Sequence, residues 1–423
     1  MVSREENERL CRVDRGTDMG EVFRSYWLPF SLAVELGEPD GPPVRIRLLG
    51  EDLVAFRDSD GKVGLLDAFC AHRGAPLFYG RNEECGLRCI YHGWKFDREG
   101  NCVEMPTELP TSRYKERVHI TAYPTWEGGG LVWAHLGPAS LRPDPPDYEW
   151  LRVPPTHFRV SKTMEACNYL QALEGGIDTA HSSYLHNLDI TNPNQLRVLD
   201  GHPKLEVEQT SYGYRYASLR RIGGGKVYLR AYQFVMPSQQ MRAGLIDFYG
   251  RPAAMPSVSG HVWVPVDDVT TAVFNWSYAP DGSRPITDDQ WAAHEERFGR
   301  GPADFLPGTH WLRRNASNDY LIDREVQRHK TFSGIEGINT QDYAVQEGMG
   351  CICDRTREHL GTTDRAVLAT RRLLLEAADR VREGRMPKGS DPVTCRAIRA
   401  SEMIAPDGVP WQEALGEATR ATW

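Results

Sequence analysis

Cys70-Ala71-His72-Arg73-Gly74 and Cys89-Ile90-Tyr91-His92-Gly93-Trp94 together read C-x-H-x16-C-x2-H. Each segment supplies one thiolate and one imidazole. Zinc sites of the finger type keep like ligands together, as C-x2-4-C followed by H-x3-5-H. Mixed pairs instead suit a [2Fe-2S] cluster whose thiolates bind one iron and whose imidazoles bind the other. Cys85, just upstream of Cys89, brings no histidine of its own. Replacing two thiolates by neutral imidazoles raises the potential of such a cluster from roughly −400 mV to roughly −150 to +300 mV. The pattern therefore predicts a protein that accepts and passes on electrons.

Working outward, both segments follow short strand-like runs, Val63-Gly64-Leu65-Leu66 and Gly86-Leu87-Arg88. From Val44 to about Trp133 short apolar runs alternate with turn clusters such as Asp58-Ser59-Asp60-Gly61, which predicts hairpins whose loops converge on one cluster. Residues 5 to 27 carry helical signals. The stretch from Pro138 to Pro155 contains Pro143, Pro145 and Pro146, which disfavours helix and central strand and marks a connector. Beyond it the pattern predicts a helical block at 165–186 and strands from about 204 to 280, with Gly223-Gly224-Gly225 as a turn. A helix follows over Asp364–Arg382, with Thr363 as its N-cap.

The chain has 423 residues, enough for two domains, and ordinary proportions of hydrophobic (40%) and charged (26%) residues. Its formal charge of −8 and the lack of a long basic run give no indication of a nucleic-acid surface. No apolar run is long enough for a transmembrane helix, and the charged N-terminus does not read as a secretory signal. Nine scattered cysteines suit a reducing compartment better than a disulfide framework, so cytoplasm is the expected location.

A second metal pattern lies in the helical block, Glu174-x3-Asp178-x2-His181-x4-His186. Two histidines and one carboxylate on one face of iron(II), with the other positions open, bind and activate O2. Spacings of three to five place side chains on one side of a helix or at its end. A distant carboxylate must complete the set, and spacing alone does not choose among Asp323, Asp342, Glu347 and Asp354.

The two cluster segments resemble the Rieske domain of ring-hydroxylating oxygenases, with Ala71 where many relatives have proline. The additional cysteine pair of respiratory Rieske proteins has no counterpart. The run Asn168 to Asp178 is similar to the catalytic segment of the same family. Gly16-Thr17-Asp18-Met19-Gly20, Asn318 to Asp323, Gly337 to Glu347 and Asp354 to Leu360 resemble its phthalate dioxygenase branch, which includes aromatic O-demethylases.

That resemblance implies an α+β chain: a small all-β Rieske domain, and a larger catalytic domain with an antiparallel sheet wrapped by helices, of helix-grip or START-like type. The expected boundaries are 1–25 for a helical segment packing on the catalytic domain, 26–137 for the Rieske domain, 138–158 for the connector and 159–423 for the catalytic domain. The resemblance implies Cys70, His72, Cys89 and His92 as cluster ligands and selects Asp342 to join His181 and His186 around a mononuclear iron, with one of each cofactor per subunit. It makes Asp178 a bridge between His181 and a cluster histidine, His72 or His92, of a neighbouring subunit. Glu174 is placed near the iron, with a structural hydrogen-bonding role equally open.

It further implies a terminal oxygenase that takes electrons from a separate NAD(P)H-dependent flavin/iron-sulfur reductase, no dinucleotide-binding G-x-G-x-x-G being present. A homotrimer or stacked trimers are expected. Aromatics interleave with arginines from Tyr212 to Tyr278, and Arg215, Arg230, Arg242 and Tyr228 are candidate contacts for an aromatic acid. Ring dihydroxylation and oxidative O-demethylation with loss of formaldehyde both remain open. An electron-transfer protein without oxygenase activity is the reading from another class, and a triad of His181, His186 and Asp342 would discriminate against it.

Overall fold

The computed structural model describes residues 2–423. Two helices open the chain, Arg4–Cys11 and Asp18–Arg24, each started by a side-chain cap from Ser3 or Thr17. They pack on the later helix Arg365–Arg382 through Arg9–Asp379 and Arg382–Asp18 ion pairs. The Tyr169 hydroxyl donates to the Leu10 carbonyl beneath them.

Two four-stranded antiparallel sheets form the cluster-bearing region. One joins strands Val44–Leu48, Glu51–Arg57, Val63–Asp67 and Ala122–Tyr123, and the other Arg81–Glu83, Gly86–Arg88, Lys95–Phe96 and Cys102–Glu104. They enclose a separate small core that includes Val54, Phe56, Leu66, Leu87 and Phe96. A three-stranded sheet of Trp27–Leu32, Leu131–His135 and Thr125–Gly128 stands apart from it, because its apolar side belongs to the main core shared with the second half of the chain.

Segment 138–158 is packed rather than loose. Trp150 is 1% exposed and stacks on Trp276 at 5.1 Å and on Phe158 at 5.5 Å, while Trp133 approaches it from the three-stranded sheet. Glu149 beside it is buried against Arg399 and the Tyr278 hydroxyl. The prolines limit regular structure here to one short helix, Glu149–Arg152, and 3-10 turns at Ala139–Leu141 and Pro155–His157, and aromatic burial supplies the rest of the order.

The second half is built on an antiparallel sheet with strand order Phe158–Glu165, Thr270–Tyr278, Pro252–Asp267, Gln239–Ile246, Lys226–Val235, Gly213–Gly223 and Lys204–Gln209. The final strand, Ser401–Pro406, pairs with the first part of Lys226–Val235, where Gln239–Ile246 has diverged from it. Glu402 bridges that fork by accepting from the Leu245 and Ile246 amides. The hairpin at Gly223–Lys226 turns through Gly224 and Gly225 at φ of 60° and 67°, as a tight right-twisted hairpin requires.

Two local expectations need correction. The block expected to be helical over 165–186 is a strand end, a helix at Tyr169–Ile177 and a single 3-10 turn at His181–Ser183. The long C-terminal helix begins at Arg365 after Asp364, with no side-chain cap, and Thr363 lies in the preceding 3-10 turn.

Candidate active site

The two cluster segments fold alike. In each, the cysteine amide donates to the carbonyl five residues on, Ala75 or Trp94, and the glycine four residues on donates back to the cysteine carbonyl. Gly74 and Gly93 close these loops at φ of 70° and 75°, which explains why glycine stands at both positions. The loops bring His72 Nδ1 within 3.1 Å of His92 Nδ1. His72 also stacks on Trp94 at 4.4 Å, and the Trp94 indole donates to Thr107. Cys70 and Cys89 are both buried, and burial together with the neighbouring Cys89 thiol pushes Cys70 up to about 11. Two buried sulfurs and two facing imidazole nitrogens form a donor set that fits a cluster ligated by S2 and N2.

The second centre lies between the sheet and its helices. Helix Tyr169–Ile177 approaches its neighbours closely because Gly175 and Gly176 carry no side chain. A Cβ at Gly175 would sit 2.0 Å from Gln346, and one at Gly176 would sit 2.3 Å from the Trp263 ring. Gln171 ties this helix to helix Ile338–Gly348 by donating to the Gln346 and Gly350 carbonyls.

The first helix ends at Asp178, whose extended backbone stops the ladder and whose carboxylate accepts from the Ala180 and His181 amides. The chain then turns inward. Arg220, 2% exposed, pins that turn by donating to Thr179 O, Ser183 Oγ and Asp200 O.

His181, His186 and Asp342 converge so that one ligand atom of each lies within 4.8 Å of the others. His181 Nε2 and His186 Nε2 are 3.1 Å apart, and Asp342 Oδ1 lies 3.5 Å and 3.2 Å from them. The outer nitrogens are committed elsewhere. His181 Nδ1 faces Asp178 Oδ2 at 3.3 Å, and His186 Nδ1 meets Gln341 Oε1 at 2.8 Å. With both protons held on Nδ1, two Nε2 lone pairs face one another and a carboxylate oxygen. That arrangement calls for a cation and fits a two-histidine, one-carboxylate ferrous site.

The charges agree with this. Burial works against ionisation of Asp342, yet His186, His181 and the Asn339 amide outweigh it and hold the carboxyl below its usual range. His181 moves the other way and is raised, with Asp178 and Asp342 overcoming burial.

These groups line a cavity of about 920 Å³ whose floor is the inner face of the sheet. Arg242 lines it from strand Gln239–Ile246. Its guanidinium makes no ion pair or hydrogen bond among the described residues. Burial, then Arg230 and Arg300, bring it down to about 9. Arg197 also lines the cavity and, with Arg297, flanks the Phe248 ring at 5.1 Å and 4.6 Å. Neither Arg197 nor Arg297 has a carboxylate partner among the described residues.

The other sequence candidates fall elsewhere. Arg230 and Tyr228 line the cavity, but both are engaged by Glu402, at 3.2 Å and 2.6 Å. Arg215 lies outside it, paired with Glu208 directly across the neighbouring strand at 2.8 Å. Glu174 does not line the cavity either. Its carboxylate is held by Arg355 at 2.9 Å and Arg371 at 2.6 Å, which makes it a structural anchor for the helix that ends at Asp178. Sequence reasoning missed Gln341, Arg197 and His261. Gln341 alone had a signal, standing immediately before Asp342.

Residues 26–120 match the model of the Rieske [2Fe-2S] domain, and residues 134–422 match the model described as LigXa C-terminal domain like. The chain is 40% identical to the phthalate 4,5-dioxygenase oxygenase subunit of Pseudomonas putida, covering 98% of this chain and 94% of that one. It is 36% identical to the 3-chlorobenzoate-3,4-dioxygenase oxygenase subunit of Comamonas testosteroni, over 98% of both chains. Identity to the 5,5'-dehydrodivanillate O-demethylase oxygenase subunit of a Sphingobium species is 30%, over 94% of this chain and 86% of that one. The solved structure of dicamba monooxygenase bound to 3,6-dichlorosalicylic acid shares the fold, with a TM-score of 0.61 and 19% identity over 86% of this chain and 99% of that one.

Proposed function

The chain belongs to the Rieske non-heme iron oxygenases as a terminal oxygenase subunit, and from that premise we propose that it hydroxylates an aromatic carboxylate by ring dihydroxylation. When bound, the cluster stores an electron and the mononuclear iron supplies the place where O2 is reduced beside the substrate. Cys70, His72, Cys89 and His92 would hold the former, and His181, His186 and Asp342 the latter.

Arg242 is the observation that carries the substrate class. A largely buried guanidinium without an anion is costly to maintain. A carboxylate laid against it would form paired charge-assisted hydrogen bonds and fix the ring relative to His181 and His186. Arg197 at the same cavity would attract the acid or hold a second acidic group. Trp263 and Tyr232 supply flat apolar wall that displaces water around the ring.

The protein's own contribution to oxygenation is proton placement and orientation. Asp178 keeps the proton of His181 on Nδ1, and Gln341 does the same for His186, so each Nε2 stays available. The Asp178 side chain is 25% exposed. It could therefore be reached by a cluster histidine, His72 or His92, of a neighbouring subunit. Exposed Phe69, Ile90 and Tyr91 around the cluster loops, and Tyr184 and Phe332 beside the His181 turn, favour such docking and with it a trimer or stacked trimers. Electrons would come from a separate NAD(P)H-dependent reductase. No helix of the described residues is long and apolar enough to cross a membrane, and we place the enzyme in the cytoplasm.

Oxidative O-demethylation of a methoxylated aromatic acid is the second reading, favoured by the likeness to an O-demethylase subunit over most of the chain. The test of both is turnover with a compatible reductase, NADH and a panel of phthalates, benzoates and methoxybenzoates. Diol products support the first reading and formaldehyde the second. Absence of any oxygenated acid from the panel would remove the aromatic-carboxylate assignment.

A further inference from the structure

His261 stands on strand Pro252–Asp267, lines the cavity and is 4% exposed. Its Nδ1 lies 2.7 Å from Asn275 Oδ1, directly across the strand pair. The orientation of that amide is set from the other side, since Asn275 Nδ2 donates to Val273 O and to Thr163 Oγ1, each at 3.3 Å. Thr163 Oγ1 in turn meets the Tyr343 hydroxyl at 2.7 Å, on the helix that carries Asp342. Turning the Asn275 amide over would set its oxygen against the Val273 carbonyl. Asn275 therefore presents an acceptor, His261 Nδ1 must carry the proton, and Nε2 is left with a lone pair. Nε2 has no partner among the described residues.

Resting on the reading that Arg242 anchors a carboxylate, we propose that His261 determines specificity by accepting, at Nε2, a hydrogen bond from a hydroxyl or amino group on the ring of that aromatic acid. Burial, and then the cations Arg242 and Arg300, keep the imidazole neutral, which preserves the acceptor. A second carboxylate at this spot would bring its lone pairs against that of Nε2, whereas a donor matches it. Arg242 sits opposite Ser259, two residues from His261 on the same strand. Arg242 and His261 are thus diagonal neighbours on one face of the sheet, roughly 7–8 Å apart at the backbone, so one aromatic acid can reach both side chains.

Equilibrium titration of the metal-replete protein under anaerobic conditions tests this, using benzoate, 3- and 4-hydroxybenzoate, 3- and 4-methoxybenzoate and isophthalate. The expected result is at least about tenfold tighter binding of one hydroxybenzoate than of benzoate or its methoxy counterpart. His261→Leu should erase that preference while benzoate affinity stays near wild type. Asn275→Leu removes the acceptor that holds the proton on Nδ1, lets the imidazole carry it on Nε2 as a donor, and should shift the preference to isophthalate. That reversal decides the matter even where His261→Leu fails to fold. Equal binding of all the acids by the wild type, or a hydroxyl preference unchanged in both variants, overturns the role of His261 and leaves Arg242 standing. Failure of every acid to bind overturns both.

Discussion

His186 Nδ1 and Gln341 Oε1 are hydrogen-bonded at 2.8 Å, so the residue just before one candidate ligand orients the ring of another. Gln341 is itself fixed by donating to the Ile335 carbonyl at 2.8 Å. Outer partners of this kind typically account for 10–100-fold in metal affinity or activity. Gln341→Leu is expected to weaken mononuclear iron binding by about that factor, measured by competition with a chromophoric chelator, with the cluster absorption unaltered. Unchanged affinity would show that the hydrogen bond does not orient the ligand.

Asp178 has a second consequence through its contact with His181. Asp178→Asn should retain both metals but slow substrate-dependent reoxidation of the reduced cluster by an order of magnitude or more. Stopped-flow single turnover reads this directly, and wild-type kinetics in the variant would refute the bridging role.

Arg242 and Arg215 make a matched pair, because both are strand arginines and only one faces the cavity without a partner. Loss of a hydrogen bond to a charged group is worth about 1.5–3 kcal/mol. Arg242→Gln should therefore raise KM for the aromatic acid by roughly ten- to a hundredfold. Arg215→Gln should leave it within about twofold. A large KM effect at Arg215 would move the carboxylate site to the wrong side of the sheet.

Glu174 links pH to stability. Its carboxyl is held below the usual carboxylate range, since Arg355 and Arg371 outweigh the effect of burial. A depressed folded-state value contributes stability that is full above the unfolded value of about 4.3 and is lost as pH falls through the folded value. Glu174→Gln is expected to destabilise the protein by about 3–5 kcal/mol at neutral pH, because it leaves the buried Arg355 guanidinium without a carboxylate, while Arg371 keeps its pairing with Glu358. The variant should also show a shallower fall in melting temperature below pH 4.5. Thermal denaturation across pH checks both, and an acid limb identical to wild type would assign the acid sensitivity to other carboxylates.

The legible parts of the chain were those whose partners are close in sequence. The cluster loops could be read because each closes on itself within six residues, from Cys70 to Ala75 and from Cys89 to Trp94. His181 and His186 were legible as a pair but not as a structure. Periodicity suggested one helical face, whereas the Asp178 carboxylate captures the next amides and ends the helix first. Asp342 could not be chosen by spacing, since its approach to His186 depends on two helices packing across Gly175 and Gln346. Likewise Arg215 and Arg242 look alike in sequence. Register separates them, placing one opposite Glu208 and the other opposite Ser259 on the cavity floor. His261 gained meaning only from Asn275 across the sheet, a relation between strands that composition does not carry.

The central claim is that His181, His186 and Asp342 hold the iron at which the substrate is oxygenated. His186→Ala, purified with the cluster reconstituted, tests it most directly when iron content, cluster absorption and product formation are measured on one sample. The expected result is an unchanged cluster spectrum, one iron fewer per chain than wild type and no oxygenated product. Full iron content with wild-type turnover would contradict the claim.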